Sequence, residues 1–220
     1  MRLIAFAKRL YFESEGDREA VVPHRSISSG EIMHAVAKHA GDRFNAVASA
    51  ALPFVFVAKH DVNDQVKEPF QETWNESVGG SRAVLLYLEE ILKLSTTYLD
   101  SPQWTLKHTS ARAVADATTV AAALEAAISE KVGGELWPAL EKALGGKTWE
   151  GKEVVLYAFV RFVEKGQMFY EDKPGVKSAM VKVRMQRSLP LSTSSSLTDQ
   201  FIRSQSEKRK DRTKDIASTL

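Results

Sequence analysis

The 220-residue chain is 44% hydrophobic and carries 30 Lys/Arg against 28 Asp/Glu, which allows one domain or a short repeat array with a buried core. It contains no cysteine, which excludes a disulfide framework, a zinc–thiolate site and a thiol nucleophile. The formal charge of +2 conceals a polarity: residues 173–220 hold 11 Lys/Arg against 4 Asp/Glu, so the tail is basic and the body mildly acidic.

Residues 2–12 read as a fraying or truncated first helix, because Lys8 and Arg9 interrupt the opening apolar run before it reaches signal-peptide length. No later run approaches the roughly 20 apolar residues of a membrane span. After a polar loop from Glu13 to Arg25, Ser28 to Ala37 reads as the second helix of an incomplete opening pair.

From Asp42 to Lys165 the apolar positions follow helical spacing in six segments separated by polar or glycine-bearing turns. Phe44, Val47, Ala48, Ala51, Leu52 and Val55 form the stripe of the first, with a kink expected at Pro53. The second is expected to take Asp61 as N-cap and Asp64 in its first turn, to bury Val66, Phe70, Thr73 and Trp74, and to stop at Gly79-Gly80. The third runs from Ser81 to Leu99, with Leu86, Tyr87 and Leu94 widening its stripe towards two faces. Ser101-Pro102 opens the fourth as N-cap and first helical residue, and the small residues Ala111, Ala113, Ala115 and Ala117 permit close helix approach. A helical piece from Ala121 to Lys131 leads through Val132-Gly133-Gly134 into the fifth, where Leu136, Trp137, Leu140 and Leu144 are in phase. The sixth follows Thr148 and aligns Val155, Ala158, Phe159, Phe162 and Val163. Sustained period-2 alternation is missing, so the fold class is all-α.

The turns into alternate helices share a wording: Asp64-Gln65-Val66-Lys67, Gln103-Trp104-Thr105-Leu106-Lys107 and Thr148-Trp149-Glu150-Gly151-Lys152. Their lysines are 40 and 45 residues apart, within the HEAT/armadillo period of about 40–47. The expected architecture is therefore an α-solenoid of HEAT-like antiparallel hairpins, about three complete and one partial, over residues 26–170. Residues 1–25 form a partial helix and polar loop before it. Residues 171–220 form a helical extension and then a serine-rich basic tail, expected to be disordered. Terminal hairpins without capping repeats should expose apolar faces and favour self-association.

Chemistry is sparse. Gly146 to Glu153 approaches the P-loop pattern, but Glu153 stands where Ser or Thr must ligate magnesium and a helix precedes it where a strand is required. Glu31 and His34 have the spacing of one half of a di-iron motif, but no second copy exists. We therefore expect no catalytic residue, no metal site and no cofactor. The basic tail, densest at Lys208-Arg209-Lys210, lacks a basic stripe on the body to make it a nucleic-acid interface. Lys67, Trp104, Lys107, Trp149 and Lys152 are the candidate partner-interface residues, since they mark corresponding turns and exposed Trp anchors interfaces. The competing role for the tryptophans is packing each turn on the next hairpin; for the lysines it is an inter-repeat ion pair.

Ala35 to Phe44, Leu52 to Asp61, Val66 to Phe70, Thr73-Trp74, Ser101 to Lys107 and Lys147 to Glu153 together resemble the large proteasome adaptor and scaffold family known as extracellular mutant twenty-nine, in order and spacing over residues 30–165. The resemblance implies an α-solenoid without enzymatic activity that tethers or stabilises the assembled proteasome. Its partners would be core- and regulatory-particle subunits, met in the cytoplasm and nucleus. Members of that family are much longer, so this chain is expected to correspond to a part of one, and the match fades after Phe169. A transport-receptor-like or phosphatase-scaffold-like array is the alternative binding module, and a helical enzyme would need a converging polar pocket that the sequence does not announce.

Overall fold

In a computed structural model the described residues are 2–14, 16, 20, 22–78, 80–124, 127–145 and 152–187, with side chains described through residue 183. Among them there is no strand. The helices are α1 (Arg2–Phe12), α2 (His24–His39), α3 (Gly41–Asn45), α4 (Ala48–Ala58), α5 (Asp64–Val78), α6 (Ser81–Leu86), α7 (Leu88–Tyr98), α8 (Trp104–Ala123), α9 (Glu130–Gly145), α10 (Lys152–Lys165), α11 (Gln167–Tyr170) and α12 (Pro174–Arg187). One compact unit covers residues 1–178 and a second residues 179–220, of which residues 179–187 continue α12. The expected disordered tail lies outside the described residues.

Helices α1 and α2, α4 and α5, α7 and α8, and α9 and α10 pack as consecutive pairs. Within one layer α4 packs on α7 and α7 on α9; within the other α2 packs on α5 and α8 on α10. This two-layer stacking of antiparallel pairs is an α-solenoid, in which each pair covers the apolar face its neighbour cannot cover alone.

Helix α1 is anchored rather than frayed. Ile4, Ala7 and Tyr11 lie on one buried face, and the Tyr11 ring sits 5.5 Å from both Phe54 of α4 and Phe70 of α5. Phe12 stacks on Tyr98 of α7 at 4.2 Å. The opposite side of α1 leaves Leu3 and Phe6 exposed. Helix α2 begins at His24, earlier than the apolar pattern suggests, because its buried face is made of Ser26, Ser29, Gly30 and Met33. A Cβ on Gly30 would stand 3.1 Å from Pro69 Cβ and 3.2 Å from the Phe70 ring, so α2 and α5 approach closely at a residue without a side chain.

The first expected segment is two helices. The chain breaks at Val47, whose φ of −124° is not helical, and α4 then enters the core with every residue from Ala51 to Ala58 buried. A helix apolar all round belongs inside. Pro53 sits within α4 and removes one backbone hydrogen bond from it. Asp61 is not the cap of α5. Asn63 is: its Oδ1 accepts from the amides of Gln65 (2.9 Å) and Val66 (3.4 Å), while Asp61 accepts from Asn63 N (3.0 Å) and from the Tyr11 hydroxyl (2.6 Å). The third segment also divides, at Tyr87 (φ −112°), and Leu86, expected to widen a buried stripe, is 71% exposed.

Helix α8 starts at Trp104, two residues beyond the expected proline; Ser101 Oγ caps the turn before it by accepting from Gln103 N at 3.2 Å. It runs unbroken through residues 121–123, and Gly133 and Gly134 lie inside α9 rather than breaking it. Gly133 is required by an approach and not by a turn, since a Cβ there would stand 2.5 Å from Phe169 Cβ of α11. In an open helix Gly→Ala stabilises by up to about 1 kcal/mol. Here Gly133→Ala should instead destabilise by about 1–3 kcal/mol, read as a lower urea midpoint, because Phe169 or the α9 backbone must move.

Candidate functional site

The sequence-derived interface residues fall at the starts of α5, α8 and α10. Lys67, in the first turn of α5, is half-buried and pairs with Asp64 of the same helix. Trp104 opens α8, is 39% exposed and sets its ring edge against His108 at 5.4 Å. Lys107 is half-buried one turn on, within electrostatic reach of Asp100. Lys152 opens α10 but is buried, 4% exposed. Trp149 lies outside the described residues, as do residues 146–151 of the near P-loop. Exposed ion pairs join successive helix pairs from Lys131 of α9 to Glu89 of α7 and from Lys142 of α9 to Asp100, where a pair contributes at most about 1 kcal/mol.

Of the other tryptophans, Trp74 packs edge-on to Phe56 at 5.0 Å and Trp137 lies 6.0 Å from Phe159, each 5% exposed, so both are core residues. His34 sits 3.8 Å from Glu72 of α5. Among the described residues no group of three His, Cys, Asp or Glu is placed to hold a metal. No described helix is long and apolar enough to cross a membrane. An open recess beside the α7–α8 turn is floored by Phe12, Tyr98 and Leu106 and rimmed by Asp100 and Gln103.

A cluster that the sequence did not announce lies where α4 meets α8. Lys59 caps α4, and its Nζ donates to Asp116 Oδ2 of α8 at 3.2 Å. The same ammonium lies 4.2 Å from the centroid of the Phe56 ring and 5.3 Å from that of Trp74, a cation–π arrangement in a water-poor setting. His60 Nε2 stands 3.1 Å from the same carboxylate oxygen, at ion-pair distance but not aligned as a hydrogen bond. Burial works against the Asp116 carboxylate, but His60 and Lys59 outweigh it and hold the carboxyl well below the usual range. Burial lowers the pKa of Lys59, only partly offset by Asp116. It lowers that of His60 too, with the Lys59 charge adding to the effect. The cluster was illegible because Lys59-His60 and Asp116 are 57 and 56 residues apart and meet only through the stacking.

No protein-family model matches the chain, and no solved structure matches it. The chain is 25% identical over 167 residues, 73% of its length, to the proteasome component ecm29 of Schizosaccharomyces pombe. It is 30% identical over 90 residues (38% of the chain) to the human proteasome adapter and scaffold protein ECM29. With the Saccharomyces cerevisiae proteasome component ECM29 it shares 29% identity over 86 residues (39% of the chain). The matched stretches cover 9%, 5% and 5% of those proteins, so the chain spans a small part of the length of each. By sequence, then, this chain is similar to a short stretch of the ECM29-type proteasome components, and its fold is an α-solenoid.

Proposed function

We propose that the chain is a non-catalytic scaffold segment of HEAT type that binds the proteasome and helps hold its core and regulatory particles together. The observation that carries this reading is the similarity over 73% of the chain to a protein named as a proteasome component. The architecture supports it, because stacked helix pairs present long continuous surfaces for partners. A cytoplasmic and nuclear location goes with that partner. The first turns of α5 and α8, with Lys67, Trp104 and Lys107, are the proposed contact edge, and the exposed indole of Trp104 is its anchor.

Affinity capture of the tagged chain, read by mass spectrometry, tests the reading. Recovery of core and regulatory-particle subunits is expected; recovery of transport cargo or phosphatase subunits in their place would favour the other binding-module reading. Trp104→Ala should reduce proteasome recovery by about 10-fold or more, as loss of an aromatic anchor does. Its helix content should be unchanged, since the side chain is part-exposed and meets only the edge of His108 among the described rings.

A further inference from the structure

In the second layer, α2 packs closely on α5 and α8 closely on α10, but α5 and α8 touch at most marginally. What spans that interval is the end of α4, which packs on α5, α7 and α8. Within the one compact unit, α1–α5 and α6–α10 can therefore be taken as two blocks that meet at α4. In the first layer they meet through α4 on α7 and the Phe12–Tyr98 stack. In the second they meet through a polar contact, Lys59 and His60 against Asp116, with Arg112 exposed beside it.

The two sides of this joint differ in what opening would cost. Opening the first layer would break the Phe12–Tyr98 stack and part α4 from α7, two helices whose buried faces are largely apolar, and apolar surface resists exposure at about 25 cal/mol per Å². Separating Lys59 from Asp116 lets water hydrate both charges, which recovers much of what the pair loses. The closely packed α2–α5 interface, built on Gly30 against Pro69 and Phe70, carries only a longer polar contact at its edge, His34 to Glu72 at 3.8 Å with Glu72 56% exposed.

We propose that the joint between α5 and α8 is the point of articulation of the solenoid, with the apolar α4–α7 contact as fulcrum and the Lys59–Asp116 contact as a latch on the opening side. The articulation is a property of the chain's own packing, whichever partner it binds.

The absence of native cysteine makes the test direct, since introduced cysteines are the only sites for spin labels. One pair, Glu76→Cys on α5 with Val160→Cys on α10, spans the joint; a control pair, Glu31→Cys on α2 with Glu76→Cys, lies within one block. Adding Asp116→Asn should shift the spanning distance distribution to longer values and broaden it, leaving the control distribution as it was. Lys59→Met, which removes the charge but keeps a stem to lie on Phe56 and Trp74, should do the same and serves if Asp116→Asn does not fold. An unchanged spanning distribution, or equal broadening of both pairs, would overturn the proposal.

Discussion

Phe54→Ala should destabilise the chain by about 3–5 kcal/mol, the range for emptying a fully buried aromatic site. The ring is fully buried on α4, with Tyr11 at 5.5 Å, Phe12 at 5.5 Å and Phe70 at 5.2 Å. Three helices, α1, α4 and α5, thus converge on one side chain, and no single rotamer change can refill the space. Domains of this size hold only about 5–15 kcal/mol in total, so the variant should unfold near half the urea concentration needed for the parent chain. Hydrogen exchange should show α1 losing protection first, because two of its anchoring residues, Tyr11 and Phe12, lie on that ring. Phe54→Leu keeps most of the volume and should recover the greater part of the loss.

Asp116→Ala should cost about 2–3 kcal/mol near neutral pH by leaving the Lys59 ammonium in a poorly hydrated site with only ring faces for company. The effect falls below the ~3–5 kcal/mol of a fully enclosed pair because 37% of the Asp116 side chain reaches water. Stability should also depend on pH with a definite sign. The folded pKa of His60 lies below its ordinary value of 6.5, so its neutral form is favoured on folding and stability falls as pH drops below 6.5. Asp116 is held below its ordinary 3.8, so its contribution is present above that value and is lost in more acid solution. Lys59 lies below 10.5, so its neutral form is favoured on folding and stability rises as pH climbs through its folded pKa towards 10.5. Urea midpoints measured from pH 5 to pH 10 should therefore rise with pH, through His60 at the acid end of the range and Lys59 at the alkaline end. In Lys59→Met combined with His60→Gln the profile should flatten; an identical profile in that variant would show that the pH response arises elsewhere.

The helical repeat was legible because burial in stacked helices leaves a periodic apolar signature. The buried set of α5, Val66, Phe70, Thr73 and Trp74, follows that signature, as do Leu136, Trp137, Leu140 and Leu144 of α9. The misread features are those in which a local preference competed with packing. Asp61 has good capping chemistry, but Tyr11, fifty residues away, occupies its carboxylate, and the cap passes to Asn63. Gly133-Gly134 has the chemistry of a break, yet α9 continues because Phe169 needs the space. Val47 and Tyr87 interrupt apolar stripes that run on in phase through them, since a change of helix direction leaves the periodicity of the flanking residues intact. Of the candidate interface, the spacing of the turn lysines was visible, but not that Lys67 would pair within its own helix or that Lys152 would be buried, both of which depend on neighbours in space.

Association with the proteasome itself tests the functional account most directly. The purified chain, shown to be helical by circular dichroism, would be sedimented with purified proteasomes carrying core and regulatory particles. The account predicts that the chain moves with the proteasome and that Trp104→Ala moves with it less. A folded, helical chain that sediments alone at every proteasome concentration tried would contradict it.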